Sequence, residues 1–260
     1  MLLQVLVSTM ETGNFELKEK MNIQSNAIII NQGSNNSIEK LEAKGKLVTW
    51  INSTERGLSV SRNMALENAS ADICLLADDD EVFIDNYEQI ILEQFRKNPD
   101  YDIIAFQVEG IEEKFKNYSS KERDIGFIYS MKISSVEIAF RLDRIKEKAI
   151  RFNELFGAGS KYFAGEENIF LYDCLRAGLK IKYVPIKIAD LHIGQSSWFK
   201  GYNEEYFIAK GAIFTAMSKT FSAVLILQFA FRKRDLYKEN HSIIEAIQLM
   251  FKGRKEYLSL

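Results

Sequence analysis

Short apolar runs recur along the first part of the chain. LLQVLVST (2–9), NAIIINQ (26–32), KLVTWIN (46–52), DICLLAD (72–78) and YDIIAFQVEG (101–110) are apolar at successive positions. That pattern predicts strands buried on both faces. Helical spacing lies between them. FELKEKMN (15–22) predicts a short helix, and GLSVSRNMALENASA (57–71) places Leu58, Met64, Ala65 and Ala69 at helical intervals. DNYEQIILEQFRKN (85–98) predicts a third helix, with Asp85 placed to cap it and Pro99 just past its end. GSNNS (33–37) predicts a turn. Strands alternating with helices predict an α/β fold with a mainly parallel central sheet, in which ligands bind at the carboxyl ends of the strands.

Residues 110–126 are charged and weakly periodic, which fits a solvated loop or a flap near the site. SSVEIAFRLDRI (134–145) predicts a strand leading into a turn, and the three glycines of FGAGSKYFAG (156–165) predict a loop. ENIFLYDCLRAG (167–178) predicts an amphipathic helix that stops at Gly178. LKIKYVP (179–185) predicts a strand, followed by IADLHIG (188–194).

The last segment is different. GAIFTAMSKTFSAVLILQFAFRKR (211–234) is apolar, broken by Ser218, Lys219 and Gln228, and closed by basic residues. Three readings stay open: a helix lying on a membrane surface, a helix buried against the domain, or a span. Residues 199–260 hold 10 Lys/Arg against 6 Asp/Glu, whereas the whole 260-residue chain has a net charge of −2. The expected division is therefore a catalytic domain over 1–198 and a helical, amphipathic extension over 199–260. An overall charge of −2 and a pI of about 5.9 give no support to nucleic-acid binding. Cys74 and Cys174 sit in apolar segments and read as buried free thiols of a reducing compartment. The N-terminal apolar run has no basic flank or small-residue cleavage site, so it reads as a first strand rather than a signal peptide.

Chemistry concentrates in LLADDDEVF (75–83), where Asp78, Asp79, Asp80 and Glu81 follow directly on a buried strand. Adjacent carboxylates repel, so such a cluster needs either solvation or a cation. Hard oxygen ligands suit Mg2+ or Mn2+, which typically takes one or two carboxylates and completes its shell with water and phosphate oxygens. A solvated acidic turn ahead of the next helix is the alternative. Two further features accompany it: the paired Glu166 and Glu167 of AGEEN, and His192 of ADLH, one of two histidines in the chain.

Taken in order, GLSVSRNMAL, LLADDDEVF, FGAGSKYFAGEENIFLYDCLRAGLKIKYVP and ADLH resemble the family 2 glycosyltransferases of bacterial surface-polysaccharide type, over roughly residues 1–195. The resemblance implies a GT-A (Rossmann-like) fold and inverting, metal-dependent transfer of a sugar from a nucleotide diphosphate, UDP-sugar above all. The acceptor implied is a hydroxyl of a saccharide or lipid-linked oligosaccharide in polysaccharide synthesis. It implies a DxD pair in which Asp80 is the most direct metal ligand and Asp78 also faces the ribose, with Asp79 between them. His192 falls on a further metal ligand. Glu167 falls on the general base and Glu166 on the first acid of that pair. Arg62 and Asn63 fall on the nucleotide-contacting segment, and Thr9 on a threonine at the end of the first strand. The C-terminal stretch is similar to tails that lie on membranes, which implies a cytoplasmic protein held peripherally on the inner face.

Two positions depart from the family pattern. Asn31-Gln32-Gly33-Ser34 stands where Asp-Asp-Gly-Ser is usual, so the base would meet Asn31, which donates as well as accepts. Glu167 stands where aspartate is usual, which moves the carboxylate by about one bond length. Phe156, Gly157, Lys161 and Tyr162 are expected on the acceptor side. The rival functions are a nucleotidyltransferase and a non-catalytic nucleotide-sugar-binding or scaffold subunit. The TMETGN segment (9–14) lacks the basic residues that a triphosphate-binding loop uses.

Overall fold

The computed structural model describes residues 1–11, 15–193 and 201–260. Part of TMETGN, Gly194 and the start of the 199–260 segment lie outside the described residues. The described strands are β1 (Leu3–Met10), β2 (Asn26–Gln32), β3 (Ser37–Ala43), β4 (Lys46–Ser53), β5 (Ile73–Asp78), β6 (Glu81–Phe83), β7 (Ile103–Gly110), β8 (Arg123–Ile125), β9 (Ile138–Arg141) and β10 (Ile181–Leu191). The helices are α1 (Glu16–Lys20), α2 (Leu58–Asn68), α3 (Tyr87–Lys97), α4 (Phe127–Ser130), α5 (Leu142–Glu147), α6 (Glu166–Arg176), α7 (Glu204–Met217), α8 (Ser222–Arg232) and α9 (Ile243–Leu258).

All the strands join one sheet, ordered β3-β4-β2-β1-β5-β9-β7-β10-β6, with β8 on β10. The expected parallel ladder is the block β4-β2-β1-β5, with a second parallel pair at β7-β10. Antiparallel β9 sits between the two, and antiparallel β3, β6 and β8 finish the edges. Both faces of the central strands are covered. Val5, Val7 and Ile29 pack on the side of α3, with Tyr87, Ile91 and Phe95. Leu6, Ile28 and Leu76 pack on the side of α2 and α6, with Leu66, Phe170 and Leu171. Strands buried on both faces explain the unbroken apolar runs in sequence. Both cysteines are buried and free.

Several expectations change. GSNNS leads straight into β3, a polar edge strand whose Glu39, Lys40 and Glu42 are exposed; an edge strand solvated on its faces carries little apolar signal. Asp85 is not the cap of α3. Asn86 holds that position with φ of 63°, while the Asp85 carboxylate accepts from Asn22 and Gln24. The predicted strand over 134–145 is a short 3-10 turn, β9 and then α5. The two segments 179–185 and 188–194 belong to one long strand, β10, kinked by register shifts near Pro185. Within 110–126, the chain forms β8 before α4.

The apolar run 211–234 is two helices, α7 and α8, parted by a turn at Ser218. Among the described residues, no helix is long and apolar enough to cross a membrane. α7 is buried between α6 and α9, and its Gly211 lies against the Met250 carbonyl so closely that a Cβ would meet it at 1.9 Å. α8 is buried only along Ser222, Ile226 and Ala230. These helices share a core with Phe156, Tyr162, Ile169 and Tyr172.

Candidate active site

The parallel strands end together. Register pairs Thr9 with Asn31, Asn31 with Asn52, and Ser8 with Asp78, so four polar residues reach one edge of the sheet. Thr9 Oγ1 donates to Asp79 Oδ2 at 2.5 Å, tying the end of β1 to the acidic turn. Asn31 Nδ2 donates to Asn52 Oδ1 at 2.8 Å, and Trp50 Nε1 donates to the same oxygen. Asn52 therefore sets which way the Asn31 amide faces. Gln32 accepts from the Gly57 backbone N–H at 2.7 Å and so anchors the start of α2.

The four acidic residues divide. Glu81 is 1% exposed and turns inward, its Oε1 accepting from the Asp78 backbone N–H at 2.8 Å. Burial, with the Asp78 charge second, pushes its pKa up. Glu81 is thus the latch of the turn and no part of an open metal–diphosphate platform. Pairing of β6 with β10 sets His192 beside Asp80, and the His192 backbone N–H donates to the Asp80 carbonyl at 3.0 Å. One oxygen of the Asp80 carboxylate is buried with no hydrogen-bond partner. Burial, then the charges of Asp78 and Asp79, raise its pKa to about 6.

Arg62 joins the acidic turn to the glutamate pair. Its guanidinium is 1% exposed, with Nη2 donating to Asp78 at 2.9 Å and Nη1 donating to Glu166 at 2.8 Å. Asn63, the next residue on α2, gives its side chain to the 152–154 segment: it donates to the Phe152 carbonyl and Glu154, and accepts from the Phe152 N–H. Both residues expected at the nucleotide are therefore buried and spent on protein contacts. Glu166 and Glu167 open α6, where the helix N-terminus favours carboxylates. Gly165 precedes them at φ of 91°, and a Cβ there would meet Ile213 of α7 at 2.7 Å. Glu167 is partly buried, and burial followed by the Glu166 charge raises its pKa.

Asp78, Asp80, Glu166, Glu167 and His192 line one cavity of about 450 Å³, together with Ser134, Ser135, Phe115 and Phe163. Phe156 and Tyr162, expected on the acceptor side, are instead core residues at 0% and 3% exposure, and Phe163 and Ala164 take the lining position. A larger hollow of about 770 Å³ beside residues 107–120 holds none of the three motifs. Glu112 has no counterpart in the sequence reading. It takes His192 Nδ1 at 2.7 Å and the Ile193 N–H at 2.9 Å, so the charged 110–126 segment reaches the site. A charged residue on a weakly periodic loop gives no local sign of this contact.

Among the described residues, no group of three or more His, Cys, Asp or Glu is gathered closely enough to hold a metal ion alone. Asp80 with an unpartnered oxygen, and His192 with one ring nitrogen backed by a carboxylate, nevertheless fit a divalent ion completed by other ligands.

Residues 18–167 match the family model "Glycosyl transferase family 2", more than half of the chain. The chain belongs to glycosyltransferase family 2. Its fold is GT-A, and family and fold support glycosyl transfer as its activity. The crystal structure of S. aureus TarS 1–349 matches with a TM-score of 0.64 at 11% identity, covering 100% of this chain and 88% of that one. The same protein in complex with UDP-GlcNAc matches with a TM-score of 0.61 at 12% identity, covering 100% and 89%. Against the longer S. aureus TarS structure, at 12% identity and a TM-score of 0.65, this chain spans 54% of the length. At such identities the likeness is one of fold. No curated protein matches the chain in sequence.

Proposed function

We propose that this glycosyltransferase moves a sugar from a UDP-sugar to a hydroxyl of a saccharide or lipid-linked acceptor in polysaccharide synthesis, with inversion at the anomeric carbon. The observation that carries the reading is the single cavity in which the acidic turn, the glutamate pair and His192 meet at the carboxyl ends of the parallel strands. TarS has been crystallised with UDP and with UDP-GlcNAc, which supports uridine as the base.

Asn31, oriented by Asn52, and Thr9 stand at the strand ends where a nucleoside would lie. Asp78, steadied by Arg62, faces the ribose. Asp80 and His192 would hold a Mn2+ or Mg2+ ion. Such an ion supplies Lewis-acid stabilisation of the diphosphate leaving group. Glu167 accepts the proton of the acceptor hydroxyl while that oxygen bonds to the anomeric carbon. The bond from carbon to the diphosphate oxygen breaks, and its electron pair leaves with UDP. Base catalysis of this kind contributes about 10²–10⁴-fold. Glu166, held by Arg62 at 2.8 Å, fixes the first turn of α6 and with it the base.

The chain is read as a catalytic unit over 1–198 with a helical extension over 199–260. The exposed face of α8 carries Phe221, Val224, Leu227 and Phe231 beside Arg232 and Lys233. That face suits an anionic membrane surface and supports a peripheral location on the cytoplasmic side. The testing experiment is thermal unfolding with nucleoside diphosphates, with and without Mn2+. Saturation at 100 times Kd stabilises by about 2.7 kcal/mol. A UDP shift that needs metal and is lost in Asp80→Ala is expected. No shift with any nucleotide in folded protein would overturn the reading and favour a scaffold.

A further inference from the structure

Charged groups face Glu167 from three helices: Glu166 beside it on α6, Arg62 on α2 and Lys210 on α7. Arg62 is already committed to Asp78 and Glu166 through both terminal nitrogens. Lys210 is held differently. Its ammonium lies over the rings of Tyr206, Phe214 and Phe229, at 5.6, 5.8 and 5.7 Å from their centroids. Rings on several sides restrict a long flexible side chain and offset part of its desolvation. α7 itself is pinned to the turn before the glutamates. Gly165 leaves no room for a Cβ against Ile213, and the Phe163 and Tyr206 rings lie 6.4 Å apart. The distance between α7 and the start of α6 is therefore set by packing.

We propose that Lys210 is a positioning residue that keeps the Glu167 carboxylate in its proton-accepting form from across the α6–α7 contact. The C-terminal helices would then be part of the catalytic apparatus as well as a support. The electrostatics agree in direction at both ends. Burial lowers the pKa of Lys210, and the Glu167 charge opposes that, with Lys233 as the second cation acting on it. Burial and Glu166 raise the pKa of Glu167, and Arg62 and Lys210 oppose that. A base that must be ionised beside another buried carboxylate needs such a cation, and Arg62 is shared with Asp78.

The inference rests on Glu167 as the proton acceptor, but its titration can be read without turnover. Protein carrying ¹³C-carboxyl glutamate is titrated by NMR, with the Glu167 signal assigned by its loss in Glu167→Gln. In Lys210→Met, whose side chain can occupy the same aromatic surroundings, the Glu167 midpoint is expected to rise by about one pH unit. Lys210→Arg should restore it. The acid limb of kcat/KM for UDP release should move in parallel, with about tenfold lower activity below both midpoints. Ile213→Val loosens the same helix contact without touching charge and should leave the midpoint in place. A midpoint unmoved in folded Lys210→Met overturns the inference, as does an equal shift in Ile213→Val. Should Lys210→Met fail to fold, Lys210→Gln reads the same midpoint. Full turnover in Glu167→Gln would instead refute the base assignment, whatever the titration gives.

Discussion

Arg62 gives the sharpest test of how the site is assembled. Its guanidinium is 1% exposed and bridges Asp78 and Glu166, whose side chains are 31% and 7% exposed. Replacing it with methionine keeps much of the volume and removes the charge. Glu166 is then left buried beside Glu167 without a partner, and Asp78 faces Asp79 and Asp80 with no fixed cation. Breaking a buried pair by removing one partner costs about 3–5 kcal/mol. Asp78 can relax toward solvent, so its share is discounted, and a net loss of about 3 kcal/mol is expected, most of it from Glu166.

For a chain of this size each kcal/mol lowers Tm by about 2–4 °C. Arg62→Met should therefore melt about 6–12 °C lower, read by circular dichroism at low salt. Adding Glu166→Gln removes the stranded charge, so the double variant should recover part of the loss. The coupling would be about 1–3 kcal/mol by a double-mutant cycle. A Tm within 2 °C of the unmodified protein, or strictly additive losses, would show that the bridge holds nothing together.

Three further outcomes follow from the same geometry. Protons compete with a cation for Asp80, raised to about 6 by burial and its aspartate neighbours; the Mn2+ dependence of UDP binding should be flat above that pH and weaken about tenfold per unit below it, as isothermal titration would show, and a pH-independent affinity would contradict it. Glu112→Gln should weaken the Mn2+ requirement's midpoint about 10–100-fold without lowering Tm by more than a few degrees, because Glu112 orients His192 from an exposed loop; unchanged metal titration would remove Glu112 from the site. Val224→Ser with Phe231→Ser, both on the exposed face of α8, should abolish co-sedimentation with anionic vesicles while leaving UDP binding intact, and retention of full vesicle binding would rule that face out.

What was legible in the sequence follows from how each contact is encoded. Strand ends were readable because an apolar run that stops at Thr9, Gln32 or Asp78 marks both a buried strand and its exit, and parallel pairing then aligns the exits. The glutamate pair and His192 were readable as types because carboxylates and imidazole at element ends are rare unless used. The joins between them were not readable. Arg62 meets Glu166, and Glu112 meets His192, only after the chain crosses the sheet, and no local periodicity carries that information. Glu81 misleads for a simpler reason. A tight turn after Asp78 points neighbouring carboxylates in opposite directions, so one residue of a visibly acidic run is buried in the protein while the others face the cavity.

The charge balance of the cavity carries one consequence beyond its parts. Asp78, Asp79, Asp80, Glu166 and Glu167 crowd a space in which Arg62 and Lys210 are the cations acting on the glutamate pair. Asp80 and Glu167 respond with raised pKa values, the ordinary sign of carboxylates short of counter-charge. A diphosphate brings further negative charge to the same place. An anionic pocket therefore resists an anionic donor unless a cation enters with it, and the unpartnered Asp80 oxygen is where that cation would be felt first. On this argument metal and UDP bind with positive coupling. The affinity of each should rise by the same factor when the other is present, because linkage is reciprocal. UDP that binds equally well with and without a divalent ion would mean that Arg62 and Lys210 already neutralise the pocket and that the acidic turn serves the fold alone.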